Sequence, residues 1–148
     1  MLILGAWSIH IAFRRTGGDP GSNRQRICRH RLWELQVACE FYASRNEGAY
    51  PPRLRDLVPD VLPDAYVLQC PGGKQGTQYS YESSLHRDMP EHFILIYDDS
   101  LENHEQQGRN VLTIGGYTWW PASEEALFQK ALAQQRRWIR KEALKHHR

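Results

Sequence analysis

The chain has 148 residues, of which 41% are hydrophobic and 24% charged, and 16 of its side chains are aromatic. That is the size of one domain, which excludes a large multidomain enzyme, and the composition excludes a chain that stays disordered. The net charge of +2 divides into +3 over residues 1–49, −5 over 50–120 and +4 over 121–148, an imbalance too mild to demand a nucleic-acid partner.

Residues 1–15 are a short apolar segment, MLILGAWSIHIAF, that ends at Arg14 and Arg15. It is shorter than the roughly 20 residues a spanning helix needs, and no basic residue precedes it as in a secretory signal. A truncated membrane anchor through Leu2 to Phe13, a buried piece of the fold and a misplaced start are the competing readings. Residues 16–23, TGGDPGSN, have the composition of a flexible linker, and the folded domain is expected over 24–148.

From Arg24 to Asn46, Ile27, Leu32, Leu35, Ala38, Cys39 and Tyr42 recur at helical spacing and Gly48 supplies the stop. Pro51 and Pro52 open a short amphipathic turn that ends at Pro63. Tyr66 to Cys70 is expected as a strand closed by Pro71, Gly72 and Gly73, and Gln78–Tyr81 and His92–Tyr97 follow as strands, the run FILIY suiting a central position. Asp98 to Gly108 is an acidic polar loop. Val111–Ile114 and Tyr117–Trp120 form a hairpin about Gly115 and Gly116, whose missing Cβ allows the positive φ of a two-residue turn. Trp119 and Trp120, adjacent on a strand, point to opposite faces. A second helix is expected from Ser123 as N-cap, with Glu124 and Glu125 in its first turn and basic residues in its last turns.

Three cysteines, Cys28, Cys39 and Cys70, lack the CxxC spacing of a structural zinc site. Cys28 and Cys39 on one helix stand roughly 16 Å apart, so any intramolecular disulfide uses Cys70.

Several local patterns share an order with a known family. Cys28, Leu32, Leu35 and Ala38, followed by Tyr42, Asn46, Gly48 and Tyr50-Pro51-Pro52, are similar to the first helix and following turn of type II secretion pseudopilin-like proteins, in particular the prepilin-type processing-associated group. Cys70-Pro71, Tyr79-Ser80-Tyr81, and His104, Gly108, Asn110-Val111-Leu112 and Gly116 resemble that group's later motifs. Gly115 stands where the group carries Asp, and His10 stands fifth after Gly5, where the prepilin leader would place Glu.

The resemblance implies an α+β pilin-like fold, with the N-terminal helix packed on a small antiparallel sheet, and an added C-terminal helix that covers a sheet edge or projects toward a partner. It implies a non-enzymatic structural subunit or accessory of a type II secretion or type IV pilus-like system. Such a subunit self-associates through the first helix and belongs to the bacterial inner membrane facing the periplasm or the cell envelope. The alternative is a periplasmic or soluble binding module that keeps the fold without forming filaments. It also implies a disulfide between Cys28 and Cys70, against buried thiols acting as small hydrophobes.

Asp98, Asp99 and Glu102 gather oxygen ligands suited to Ca²⁺, and the related pseudopilins carry calcium in a loop near the C-terminal sheet; a solvated acidic loop is the other reading. His104 beside Asp99 could form an acid–base pair, but no nucleophile elbow, HExxH, P-loop or GxGxxG occurs, so neither an enzyme nor a small-molecule substrate is expected. Arg136, Arg137, Arg140 and Lys141 form a candidate surface for an anionic partner, set against a solvated helix face, with nucleic acid the least favoured occupant.

Overall fold

The computed structural model describes residues 23–73 and 77–145. Helix α1 runs over Asn23–Arg45 without a Gly or Pro, and its buried residues Cys28, Leu32, Leu35, Cys39 and Ala43 follow one another at steps of three and four. It stops where Glu47 and Gly48 adopt positive φ and the Gly48 N–H returns to the Ala43 carbonyl.

Four strands follow in a meander, each antiparallel to the next: β1 Ser80–Tyr81, β2 Ile94–Tyr97, β3 Gly108–Thr113 and β4 Gly116–Pro121. Helix α2, Glu125–Lys145, closes the chain. The molecule is α+β and has three layers, because each face of the sheet is covered by one helix. On the α1 side, Leu95, Ile96 and Leu112 pack with Leu32, Leu35 and Cys39 and with Leu57, Leu62 and Leu68 from the connecting segment. On the α2 side, Ile94, Tyr97 and Val111 pack with Phe128 and Leu132. This double cover explains why the whole of β2 is buried. A register shift between Ile94 and Ile96 turns Leu95 and Ile96 together toward α1 and leaves Ile94 and Tyr97 for α2.

Several expected elements differ in detail. The expected strand over 66–70 is a 3₁₀ turn, Ala65–Leu68, with one isolated bridge from Gln69 to Gln78, because the Asp64 carboxylate accepts the Tyr66 N–H and starts a turn. In the hairpin Thr113 pairs with Gly116, so the two-residue loop is Ile114–Gly115, and of the two glycines it is Gly116 that takes positive φ. Helix α2 is preceded by a 3₁₀ turn, Ala122–Glu124, so Ser123 lies within that turn and is not the cap. The C-terminal helix covers the second face of the sheet, where its Phe128 fills the space between Tyr97 and Trp120, and its Gln135 also caps the edge of β2 beyond β1. Among the described residues no helix is long and apolar enough to cross a membrane. The apolar segment 1–15 and residues 16–22 lie outside the described residues.

Candidate functional site

Alternation along the strands decides which polar groups enter the core. Tyr97 faces α2, so the next residue, Asp98, faces α1 and is fully buried. On β3, Asn110 shares that face with Leu112, while Arg109 turns to the α2 side and ion-pairs with Glu125 at 2.6 Å. Asp98 and Asn110 lock together: Asp98 Oδ2 accepts from the Asn110 backbone N–H at 2.8 Å and from its Nδ2 at 3.0 Å. Tyr117 donates to Asn110 Oδ1 at 2.8 Å, which fixes the orientation of the amide.

Three further side chains converge on Asp98. Cys28 arrives from the first turns of α1, with its Sγ 3.5 Å from Asp98 Oδ1. Cys70 arrives from the loop before β1, with its Sγ 3.9 Å from that of Cys28. His104 arrives from a 3₁₀ turn, Leu101–His104, with Nε2 3.0 Å from Asp98 Oδ2 and 3.4 Å from Cys70 Sγ. The four ligand atoms all lie within 4.8 Å of one another, and all four residues are buried. Around them, the Tyr79 hydroxyl lies 3.0 Å from Cys28 Sγ, and the Trp119 ring meets His104 edge-on at 6.3 Å.

The two loops that deliver Cys70 and His104 touch at Gly72. A Cβ there would stand 2.0 Å from the Asn103 carbonyl oxygen and 3.0 Å from the His104 ring, so only glycine permits this approach.

Charge within the cluster is unequal. Burial pushes the Cys28 thiol far up, so it keeps its proton. Cys70 is drawn down to about 6 by its contact with Cys28 and by His104, which outweigh burial. Burial opposes the charges of His104 and Asp98 as well. Contact with Asp98 and Cys70 nonetheless pushes the His104 ring up to about 9, and His104, Cys70 and Asn110 hold the Asp98 carboxyl below the usual carboxylate range.

The structure separates the residues expected to bind calcium. Asp98 is turned into the core, whereas Asp99 and Glu102 are exposed, so the three carboxylates do not share one pocket. The residue paired with His104 is Asp98, not Asp99. Cys28 and Cys70 do come together, as thiols whose sulfurs are in contact. Of the basic residues on α2, Arg136 is committed to a two-pronged pair with Glu82, at 2.5 and 2.9 Å, while Arg137, Arg140 and Lys141 are exposed. Trp119 and Trp120 lie on opposite faces, the first toward His104 and the second against Phe128.

Sequence reasoning paired Cys28 with Cys70 and placed Asp98 and His104 in one loop, and missed that the two pairs meet. The usable signal was the continuous apolar run FILIY, which marks a strand buried on both faces, so that Asp98, the residue directly after it, enters the core whichever face it takes.

A second feature lies on the outside of α1. Trp33, Val37 and Phe41 follow one another at steps of four, 58%, 52% and 43% exposed. The outer side of the helix thus carries one apolar line, flanked by His30, stacked on Trp33, and Arg45, over Phe41.

The sequence matches no family model, and no curated protein or solved structure matches it.

Proposed function

We propose that the protein is a non-enzymatic structural subunit of pilin-like architecture, resembling a pseudopilin of a type II secretion or type IV pilus-like system, and that the outer face of α1 is its assembly surface. The observation that carries this reading is the apolar line Trp33, Val37 and Phe41 on a helix whose opposite side is already packed on the sheet. A helix buried on one side and carrying an apolar line on the other holds its own domain and a neighbour at once, which is the work required of a subunit that associates through its first helix. The apolar segment over Leu2 to Phe13 supports the same reading as an anchor that would place the domain at the inner membrane, facing the periplasm. No reaction is assigned to the chain.

Sedimentation equilibrium of the full chain over a range of micromolar concentrations tests it. Self-association is expected in the native sequence and its loss in the double variant Trp33→Glu/Val37→Glu, which should keep the circular dichroism of the native fold because both side chains are exposed. A chain that stays monomeric throughout, or a double variant that associates as before, contradicts the reading.

A further inference from the structure

We propose that Cys28, Cys70, Asp98 and His104 form a closed structural site for one zinc ion. The chemistry of the set is right: two sulfurs, an imidazole nitrogen and a carboxylate oxygen are the donors that zinc takes in tetrahedral sites.

The spacing fits as well. Zinc bonds of about 2.3 Å to sulfur and about 2.0–2.1 Å to nitrogen or oxygen require ligand atoms about 3.3–3.8 Å apart along the edges of the tetrahedron. In the structure the Cys28 and Cys70 sulfurs are 3.9 Å apart, Cys70 Sγ is 3.4 Å from His104 Nε2, His104 Nε2 is 3.0 Å from Asp98 Oδ2, Cys28 Sγ is 3.5 Å from the other Asp98 oxygen, Oδ1, and the four ligand atoms all lie within 4.8 Å of one another. These atoms are held on four separate elements, so their convergence is not a by-product of one turn.

Hydrogen bonding within the cluster independently asks for a cation. His104 Nε2 lies 3.0 Å from Asp98 Oδ2, an acceptor, and 2.9 Å from Asn110 Nδ2, a donor whose orientation Tyr117 and Asp98 fix. A protonated Nε2 sets two donors against each other, and an unprotonated Nε2 sets two acceptors against each other. A zinc ion relieves the contact between Nε2 and Asp98 by taking a lone pair from each, and the Asn110 amide then keeps its bond to Asp98 Oδ2. The proton then belongs on His104 Nδ1, a buried atom without a hydrogen-bond partner.

The outer shell suits a metal with thiolate ligands. Tyr79 is placed to donate to the Cys28 sulfur, two Asn110 donors orient Asp98, and Arg109 donates to the Asp98 carbonyl at 2.6 Å. With Cys28 and Asp98 fully buried and Cys70 and His104 nearly so, four protein ligands close the shell and no position opens to substrate. The ion would tie α1 to the sheet and to both connecting loops. Zinc entry displaces one proton from each thiol still protonated and one from the His104 imidazolium, and moves no electrons.

The test is metal analysis and cobalt substitution on the full chain, isolated anaerobically with reductant and supplied with zinc. About one zinc per chain is expected, released in step with mercurial modification of the thiols. Cobalt in its place is expected to show thiolate-to-metal charge transfer and the intense visible bands of tetrahedral geometry. Cys70→Ser and Asp98→Asn should lose stoichiometric metal, Tyr79→Phe should bind about 10-fold more weakly, and Cys39→Ala, outside the cluster, should keep full occupancy. Three results would overturn the proposal. They are a native chain that takes up neither metal, a Cys28→Ser/Cys70→Ser variant that keeps one zinc, and a Cys28–Cys70 disulfide persisting in the reductant. The native-chain measurements decide the matter even where a variant fails to fold.

Discussion

The side chain of Gln135 on α2 grips both backbone groups of Ile94, accepting its N–H at 2.6 Å and donating to its carbonyl at 2.7 Å. Strand β1 is only two residues long, and beyond the bond from the Glu82 N–H to the Leu95 carbonyl its cover of β2 ends. Gln135 therefore stands in for the missing strand at a place closed to water. Replacing it by Leu keeps the volume but leaves a buried donor and acceptor unpaired, at a cost of about 2–3 kcal/mol. Urea unfolding of Gln135→Leu beside the native chain measures this, and a loss below about 0.5 kcal/mol would show that the amide is not needed there.

Phe128 anchors the same helix. It is fully buried, meets Tyr97 and Trp120 edge-on at 5.3 and 5.4 Å, and lies beneath the Arg109 guanidinium. Phe128→Ala should cost about 3–5 kcal/mol, whereas its exposed neighbour Leu127→Ala should change stability by less than about 0.5 kcal/mol. Thermal melts of the two variants check the contrast.

Arg109 and Glu125 make stability depend on acid. The Arg109 guanidinium holds the Glu125 carboxyl below the usual carboxylate range. A depressed carboxylate contributes stability above its unfolded pKa, near about 4.3, and loses that contribution as pH falls through the lower folded value. Glu125→Gln should thus be less stable than the native chain at neutral pH, with the gap narrowing toward pH 3. Melting temperatures taken across that range test it, and a gap that stays constant would assign the loss to packing alone.

Gly72 predicts a geometric sensitivity. Its Cβ would meet a backbone oxygen that cannot rotate away, so Gly72→Ala should separate the Cys70 and His104 loops and cost about 1–3 kcal/mol. At Gly73 the added Cβ meets only Thr77 side-chain atoms, at 2.7 Å and beyond, and that variant should be milder. Reactivity of the native-state thiols toward a maleimide should rise in the first variant and not in the second.

Much of the framework was legible because it is written in local periodicity. The α1 face, the buried run of β2 and the β3–β4 hairpin all follow from residues within one or two turns or strands of each other. Tyr66 to Cys70 misled because its strand composition is overridden by a single capping carboxylate at Asp64. Ser123 misled because a tight turn precedes the regular helix. The meeting of Cys28, Cys70, Asp98 and His104 was not legible. It depends on three loop closures and on the face each strand presents, neither of which spacing along the chain encodes. The exposed line of Trp33, Val37 and Phe41 was hidden for the opposite reason, since an apolar residue on a helix reads as core until the sheet shows which side it covers.

The central claim, that α1 joins copies of the protein through its outer face, is tested most directly by cross-linking in bacterial cells expressing the full chain. Val37→Cys puts a thiol in the middle of the apolar line, while Cys28, Cys39 and Cys70 are buried and should stay silent. Mild oxidation should convert Val37→Cys into covalently joined multimers on a non-reducing gel, and Glu102→Cys, exposed on the 3₁₀ turn Leu101–His104 and not part of the apolar line, should remain monomeric. Absence of cross-linking at Val37→Cys, or equal cross-linking at Glu102→Cys, would contradict the account.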